Sequence, residues 1–169
     1  MLLDALAQAQ PEEIVITDVR LDCTQAAPDA FKAMLALEAA VQRSGLAHSL
    51  IELVKLRVSQ INGCACCLDM HSNDARAAGE TDQRLHLLAA WREVPLHTER
   101  ERAALAWAEA LRLVSNQGAP EAVYEQLRAQ FDAKSQLDLT LAIVAINGWN
   151  RLAIGLRFEA GGYGARATP

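Results

Sequence analysis

The segment QINGCACCLDMH, residues 60–71, predicts the end of one helix and the start of another. Its Asn62-Gly63 pair is typical of a helix end, because glycine takes the left-handed backbone conformation at low cost. Apolar residues recur at helical spacing on both sides of this pair. We therefore expect one helix over residues 49–61 and a second helix that begins at Cys64.

The same periodicity continues over most of the chain and predicts an all-α protein. Alanine and leucine are abundant, and the nine glycines and five prolines fall mostly between helical segments. The alternation of apolar and polar residues that is typical of a multistranded sheet is absent from the sequence. We expect a single-domain helical bundle of about seven helices, at residues 28–44, 49–61, 64–79, 81–93, 98–114, 120–131 and 135–158.

The length and composition favour one folded domain. The chain has 169 residues, of which 51% are hydrophobic, which is enough to bury a core. We expect an N-terminal arm over residues 1–19, the helical domain over residues 20–160 and a flexible tail over residues 161–169.

The charge balance argues against two classes of partner. Sixteen basic and 21 acidic residues give a net charge of −5, so there is no surplus of positive charge to neutralise a phosphate backbone or an anionic bilayer. The longest apolar run, residues 139–146, is shorter than the roughly 18 residues of a membrane-spanning helix. We expect no nucleic-acid partner and no membrane partner. The N-terminal residues do not resemble a secretion signal, so we expect a cytoplasmic location.

Three reactive side chains share one face of the helix that is predicted to begin at Cys64. At about 100° per residue, Cys67 lies about 60° and His71 about 20° from Cys64. Cys66 lies about 200° away, on the other side of the helix. The α-carbons of Cys64 and Cys67 are expected about 5 Å apart, which is within the range of a disulfide.

The start of a helix also favours thiolate formation. Unpaired backbone N–H groups and the helix dipole stabilise negative charge there. His71, one turn after Cys67, is placed to exchange a proton with its sulfur or with a bound substrate. The sequence therefore predicts a redox-active pair.

Two less reactive interpretations of the pair remain open: zinc ligands and inert core thiols. A C-x-x-C pair with a nearby histidine supplies three zinc ligands, but no second cysteine pair exists. A c-type haem site needs histidine directly after the second cysteine, where Leu68 stands. The thioredoxin motif belongs to a βαβ unit, whereas the flanks here are helical. We expect neither a bound metal nor an organic cofactor.

The other cysteines and the tryptophans are predicted to be structural. Cys66 is expected to be a packing thiol, because a bond to its neighbour Cys67 would join α-carbons only about 3.8 Å apart. Cys23 lies in a loop-like segment and is expected to be a lone thiol. Three residues are expected to be core anchors: Trp91, Trp107 and Trp149.

Glu52 has two interpretations on spacing alone. It stands three residues after Ser49, which is the spacing of a capping box, in which the glutamate accepts a hydrogen bond from the backbone N–H of the N-cap residue, here Ser49. The spacing leaves open whether Glu52 has another role.

Four residues of three chemical types stand at fixed spacing. Eleven residues separate Glu52 from Cys64, two separate Cys64 from Cys67, and three separate Cys67 from His71. This pattern resembles the alkylhydroperoxidase D-like core of the carboxymuconolactone decarboxylase family. The resemblance is strongest over residues 49–94 and extends weakly over residues 20–158. Residues 148–151, with the sequence GWNR, also resemble the family.

The resemblance implies a peroxidase cycle. Cys67 would attack the peroxide and become a sulfenic acid, Cys64 would close the disulfide, and Glu52 and His71 would form a proton relay. The helix dipole alone would instead favour Cys64 as the more acidic thiol. Peroxidases of the family can carry a histidine beside the second cysteine, where this chain has Cys66.

The resemblance also implies an all-α fold and a homo-oligomer, commonly a trimer or a hexamer. We expect a thiol-dependent peroxidase or disulfide oxidoreductase that reduces hydroperoxides and is recharged by an external dithiol reductant. The decarboxylase branch lacks the cysteine pair, so lactone decarboxylation is not expected. The alternative is a non-enzymatic redox sensor or binding protein that is switched by the Cys64–Cys67 disulfide.

Overall fold

The computed structural model describes residues 18–161 and residue 163, apart from the side chain of residue 117. These residues form nine α-helices, one 3-10 helix and no strand, so the all-α prediction is confirmed. The 3-10 helix, Leu88–Glu93, directly follows the fifth α-helix. The α-helices are α1 (Cys23–Ala26), α2 (Pro28–Gln42), α3 (His48–Asn62), α4 (Ala65–Ala77), α5 (Asp82–Leu87), α6 (Glu99–Arg112), α7 (Val114–Gln117), α8 (Glu121–Gln130) and α9 (Ala133–Leu156).

All seven predicted helical segments are present, and the two additional helices, α1 and α7, have four residues each. Cys23 therefore begins a short helix rather than lying in a loop. The helix forms there because the Asp22 carboxylate accepts a hydrogen bond from the Thr24 N–H at 2.8 Å. The predicted helix over residues 81–93 is also divided. Ala90, with φ −112° and ψ 26°, departs from helical geometry within the 3-10 segment.

The predicted helix starts are mostly confirmed. Thr81 caps α5 through its side chain, and Thr98 and Glu101 form a reciprocal capping box at α6. The start of α9 differs, because Asp132 is its N-cap and accepts a hydrogen bond from the Ser135 N–H at 2.7 Å. Ser135, where the sequence predicted this helix to begin, lies in its first turn.

Helix α3 occupies the centre of the bundle. It packs against α4, α6 and α9. Nine of its 15 residues are buried, and three of those nine are polar or charged: Glu52, Lys55 and Ser59. Buried polar groups need hydrogen-bond partners from neighbouring helices, so α3 is where the bundle concentrates its specific polar contacts.

Helix α9 is the second central element. This helix of 24 residues, Ala133–Leu156, is long and apolar enough to cross a membrane, judged by length and composition only. The same helix packs against α2, α3, α4, α6 and α8, and seven of its residues are buried. This position is typical of the core helix of a bundle, which passes the same length and composition test.

The two ends of the described chain lie against the bundle. The Arg20 N–H donates to the carbonyl of Leu156, and the Arg20 guanidinium donates to the carbonyl of Gly155, both at 3.0 Å. The backbone N–H groups of Gly161 and Tyr163 donate to the Asp69 carboxylate at 2.8 and 3.2 Å. Residues 1–17, 162 and 164–169 lie outside the described residues, so the predicted arm and flexible tail stay predictions.

Candidate active site

The turn between α3 and α4 brings the cysteine pair into the core. Helix α3 ends at Asn62, and Gly63 follows in the left-handed conformation with φ 70°. This confirms the predicted helix end. The N–H groups of Gly63 and Cys64 both donate to the carbonyl of Ser59, which closes the last turn.

Cys64 and Cys67 form a disulfide with their α-carbons 5.3 Å apart, as the spacing predicted. Cys64 is the N-cap of α4 in an extended conformation, rather than its first helical residue. Its sulfur accepts a hydrogen bond from the Cys67 N–H at 3.3 Å. Both residues are buried, at 1% and 2% exposure, so the sulfur pair lies inside the protein.

Glu52 and His71 form a buried pair that joins α3 to α4. The His71 Nδ1 and Glu52 Oε2 atoms are 2.7 Å apart, and both side chains are almost fully buried. When Glu52 is ionised, its carboxylate can only accept hydrogen bonds, and the proton of this contact is then on Nδ1 of the imidazole. The other ring nitrogen, Nε2, is therefore the atom that can take up or release a proton.

The capping-box prediction for Ser49 and Glu52 is wrong. Helix α3 begins at His48, its N-cap is Ala47, and no side chain caps it. The sequence spacing placed the helix start one residue too late. Glu52 instead points into the bundle, where His71 supplies the hydrogen-bond partner that a buried carboxylate needs.

A second acidic side chain reaches the buried pair, and sequence reasoning missed it. The possible donor atoms of Glu52, His71 and Asp74 all lie within 4.8 Å of one another. Asp74 follows His71 by three residues, a spacing that places both on one face of α4. These are the described residues whose donor atoms come close enough together to hold a cation.

A polar network fixes the end of α3 next to Cys64. The buried Asn150 side chain donates to Ser59 Oγ at 3.1 Å and accepts from Asn62 at 2.7 Å. Asn62 also donates to Asn147 at 3.1 Å and accepts from Arg112 at 2.7 Å. Helices α3, α6 and α9 are thereby tied together at the turn that presents the disulfide. The family-like GWNR segment contains Asn150 and was the available sequence signal.

The other cysteines lie outside this site. Cys66 is half-buried and packs against the apolar core. Burial raises the pKa of its thiol, and the negative charge of Asp69 raises it further. Cys66 therefore stays a protonated packing thiol, as predicted. Cys23 is likewise a free, half-buried thiol.

The predicted tryptophan anchors pack in the bundle, and each indole N–H has a partner. Trp91 and Trp107 are buried and donate to Glu109 and Thr140, both at 3.0 Å. Trp149 is partly buried and donates to Glu38 at 3.3 Å. Their contacts are internal to the protein, as expected of core residues.

Comparison with known proteins places these features in a family. The model of the carboxymuconolactone decarboxylase family matches residues 28–110. The uncharacterized protein YdfG of Bacillus subtilis strain 168 is 39% identical over 137 residues, which is 81% of this chain and 93% of that protein. The uncharacterized protein YnjA of Escherichia coli K12 is 33% identical over 102 residues, covering 60% of this chain and 56% of that protein.

Solved structures share the fold. A protein of unknown function from Agrobacterium tumefaciens, described as a putative antioxidant defence protein AhpD, superposes with a TM-score of 0.82. It is 47% identical, and the match covers 85% of this chain and 98% of that chain. The debrominase Bmp8 superposes with a TM-score of 0.71 at 19% identity, covering 79% of this chain and 72% of that one, a likeness that concerns the fold alone.

Proposed function

The chain belongs to the carboxymuconolactone decarboxylase family, and from this we propose that it is a thiol-dependent oxidoreductase that reduces hydroperoxides with its Cys64–Cys67 pair. One observation carries the proposal. A redox-capable disulfide and a hydrogen-bonded carboxylate–imidazole pair are buried on the same helix–turn–helix unit. Such a unit combines a nucleophile with a group that can transfer protons.

The first chemical step forms a sulfenic acid. In the reduced protein the Cys67 thiolate attacks the terminal oxygen of the hydroperoxide, and the O–O bond breaks. The leaving alkoxide takes a proton from His71 and departs as the alcohol. Glu52 holds the imidazole in place and stabilises its positive charge before this transfer.

The second step closes the disulfide, and the third step reopens it. The Cys64 thiolate attacks the Cys67 sulfur, and the hydroxyl group leaves as water after taking a proton. An external dithiol then reduces the disulfide and is itself oxidised. Overall, one hydroperoxide and one dithiol yield one alcohol, one water molecule and one oxidised dithiol.

The two cysteines have different surroundings that suit these roles. His71 stands four residues after Cys67 on α4, one helical turn away, which supports attack by Cys67. The Cys67 N–H donates to the Cys64 sulfur, which favours negative charge on Cys64. Cys64 needs that charge when it attacks the sulfenic acid and again when it leaves during reduction.

We also propose that the protein is a homo-oligomer, a trimer or a hexamer, with a cytoplasmic location. Exposed apolar side chains on α9 support the assembly, because Leu137, Leu141 and Val144 are 60%, 36% and 53% exposed. Their spacing of four and three residues places them on one face of the helix. Membership of this family favours a second copy of the chain as the partner that covers this face of α9.

The test is a peroxide-consumption assay with a panel of dithiol donors. Wild type should turn over, Cys67→Ser should consume no peroxide, and Cys64→Ser should react once and stop as the sulfenic acid. A sulfenic acid trapped on Cys64 in Cys67→Ser would reverse the assignment of the two cysteines. Cys66→Ser is the matched control and should keep wild-type turnover.

The same assay separates the proposal from its alternatives. Absence of turnover, combined with a change of oligomer size on oxidation, would identify a redox sensor instead. Stoichiometric zinc whose removal unfolds the protein would identify a structural metal site and would displace both redox interpretations.

A further inference from the structure

The buried Glu52–His71 pair has a neighbour that leads towards the surface. Asp74 lies on the same face of α4, and its carboxylate is within 4.8 Å of the pair. Glu52 and His71 are buried, whereas Asp74 is half-buried. One bridging water molecule or a small side-chain rotation spans such a distance. Solvent exposure therefore increases from the buried Glu52 and His71 to the half-buried Asp74.

Tyr163 lies next to Asp74, at the solvent-exposed end of this row of polar groups. Its hydroxyl donates to the Asp74 carboxylate at 3.1 Å, and the residue is 46% exposed. The backbone holds the ring there, because the N–H groups of Gly161 and Tyr163 both donate to the Asp69 carboxylate. The segment after α9 is thus fixed across the outer side of α4, over the polar end of the site.

The charges around these groups are consistent with proton transfer. Glu52 and Asp74 place two carboxylates beside one imidazole, with the possible donor atoms of all three residues within 4.8 Å of one another. The half-exposed His48 approaches the other oxygen of Glu52 at 3.6 Å from α3. Burial raises the pKa of Tyr163, and the hydrogen bond to Asp74 and the charges of Asp74 and Glu52 raise it further. Tyr163 therefore keeps its proton and orients Asp74.

We propose that Asp74, oriented by Tyr163, is the solvent end of the proton path that recharges His71 in each catalytic cycle. This inference rests on the proposed function. His71 gives one proton to the leaving alkoxide and becomes neutral. Asp74 then takes a proton from water or buffer and passes it to the imidazole, so no oxidant or reductant enters this step. Asp74 acts through His71 and is a positioning and proton-transfer residue.

The test compares Asp74→Asn and Tyr163→Phe with Asp29→Asn, a change at an exposed aspartate on α2. Proton transfer by a positioned group typically raises a reaction rate by about 100-fold or more. We expect Asp74→Asn to lower kcat by only about tenfold, because water can replace the carboxylate in part. Tyr163→Phe should lose less, and Asp29→Asn should lose nothing.

Buffer rescue distinguishes proton transfer from a structural role. Increasing concentrations of imidazole or a small carboxylic acid should restore the rate of Asp74→Asn and leave wild type unchanged. A rate that is low but insensitive to buffer, with circular dichroism unchanged, would overturn the proposal. Zinc that is bound stoichiometrically by wild type and lost by Asp74→Asn would assign the carboxylate to a cation site and would also overturn it.

A readout without turnover separates this inference from the proposed function. The imidazole nitrogen signals of His71 should shift in Asp74→Asn, because the neighbouring carboxylate is lost, and should stay in place in Asp29→Asn. If these signals move while wild type consumes no peroxide, the proposed function fails and the coupling of Asp74 to His71 stands. If the signals stay in place in Asp74→Asn, the inference fails whatever the activity.

Discussion

Among single residues, burial constrains most strongly the proposed proton relay of Glu52 and His71. Glu52 and His71 face each other at 2.7 Å with almost no exposure, so neither can be satisfied by water. Removing one partner of such a pair leaves a buried polar group uncompensated, which costs several kcal/mol. Burying the intact pair also costs solvation free energy that apolar side chains of similar volume would not lose, and this cost is understandable if the pair transfers protons.

The first prediction concerns Glu52→Gln. The amide keeps the shape and one hydrogen bond but removes the charge that stabilises the imidazolium, so peroxide consumption should slow by about 100-fold. The free energy of unfolding should fall by only about 1–2 kcal/mol, because the hydrogen bond can persist. Initial rates and urea denaturation measure the two effects.

The control for this prediction is Glu99→Gln, which changes an exposed glutamate at the start of α6. It should alter neither the rate nor the stability appreciably. A large loss of stability in Glu52→Gln with an unchanged rate would show that Glu52 is only structural.

At the scale of elements, the connection from α3 to α4 depends on one backbone conformation. Gly63 has φ 70°, and nothing lies within 4 Å of the position a Cβ atom would take. The requirement for glycine is therefore conformational and not a matter of space. The turn determines where Cys64 stands, so its geometry links helix termination to the redox pair.

The second prediction compares Gly63→Ala with Gly155→Ala. The left-handed conformation costs a residue with a side chain about 1–2 kcal/mol, so Gly63→Ala should be destabilised by that amount. Gly155 lies inside α9 with open space around it, and alanine there should stabilise the protein by about 0.5–1 kcal/mol. Thermal or urea denaturation measures whether the two substitutions change the free energy of unfolding in opposite directions. Equal changes in the two variants would contradict the conformational explanation.

The third prediction concerns the contacts of α6 with α3 and the 3-10 helix. Glu109 accepts hydrogen bonds from Arg57 at 2.7 Å, from Trp91 at 3.0 Å and from Arg92. Burial alone would raise the pKa of Glu109, but the hydrogen bonds from Trp91, Arg92 and Arg57 outweigh it and hold the pKa below 4.5. A pKa that is lower in the folded state stabilises the fold above the unfolded-state value, and this contribution is lost as the pH falls through the folded-state value.

We therefore expect the free energy of unfolding to decrease as the pH falls below about 4.5, and to decrease less steeply in Glu109→Gln. Urea denaturation at a series of pH values measures both slopes. Glu125→Gln, at a half-exposed ion pair with Arg128, is the control and should keep the wild-type slope. Identical slopes in all three proteins would show that Glu109 does not contribute to acid sensitivity.

At the scale of the whole molecule, α3 and α9 form a common centre, and the exposed side of α9 is apolar. Buried residues such as Ile143 and Ile146 face the bundle, while Leu137 and Val144 face outwards. One helix therefore has apolar residues on more than one side. An exposed apolar face of this kind is suited to contact with another copy of the chain.

The fourth prediction is that Leu137→Glu combined with Val144→Glu reduces the proposed oligomer to smaller species. Charges on both chains would be desolvated and would repel each other at the contact. Sedimentation velocity measures the mass, and circular dichroism should show unchanged helicity. Val114→Glu, at an exposed residue of α7, is the control and should keep the wild-type mass. A monomeric wild-type protein would contradict the proposed assembly.

Structural features that depend on residues close together in the chain could be predicted from the amino-acid sequence. Helix content follows from periodicity, and the capping box of Thr98 and Glu101 and the left-handed Gly63 depend on contacts within one turn. The possibility of a Cys64–Cys67 disulfide was predictable for the same reason. Two intervening residues at the start of a helix fix the distance between the α-carbons of the two cysteines. Chain geometry alone sets these features.

The partners of the buried polar groups depend on tertiary packing. Glu52 is 19 residues from His71, a pairing that the family resemblance implied but the spacing left open. Asn150 is 91 residues from Ser59, and Tyr163 is 89 residues from Asp74. Lys55 pairs with Glu38 on α2, and helical periodicity could not predict this contact either. These contacts depend on how α2, α3, α4 and α9 pack. A buried charge selects its partner by distance in space, which the local sequence does not encode.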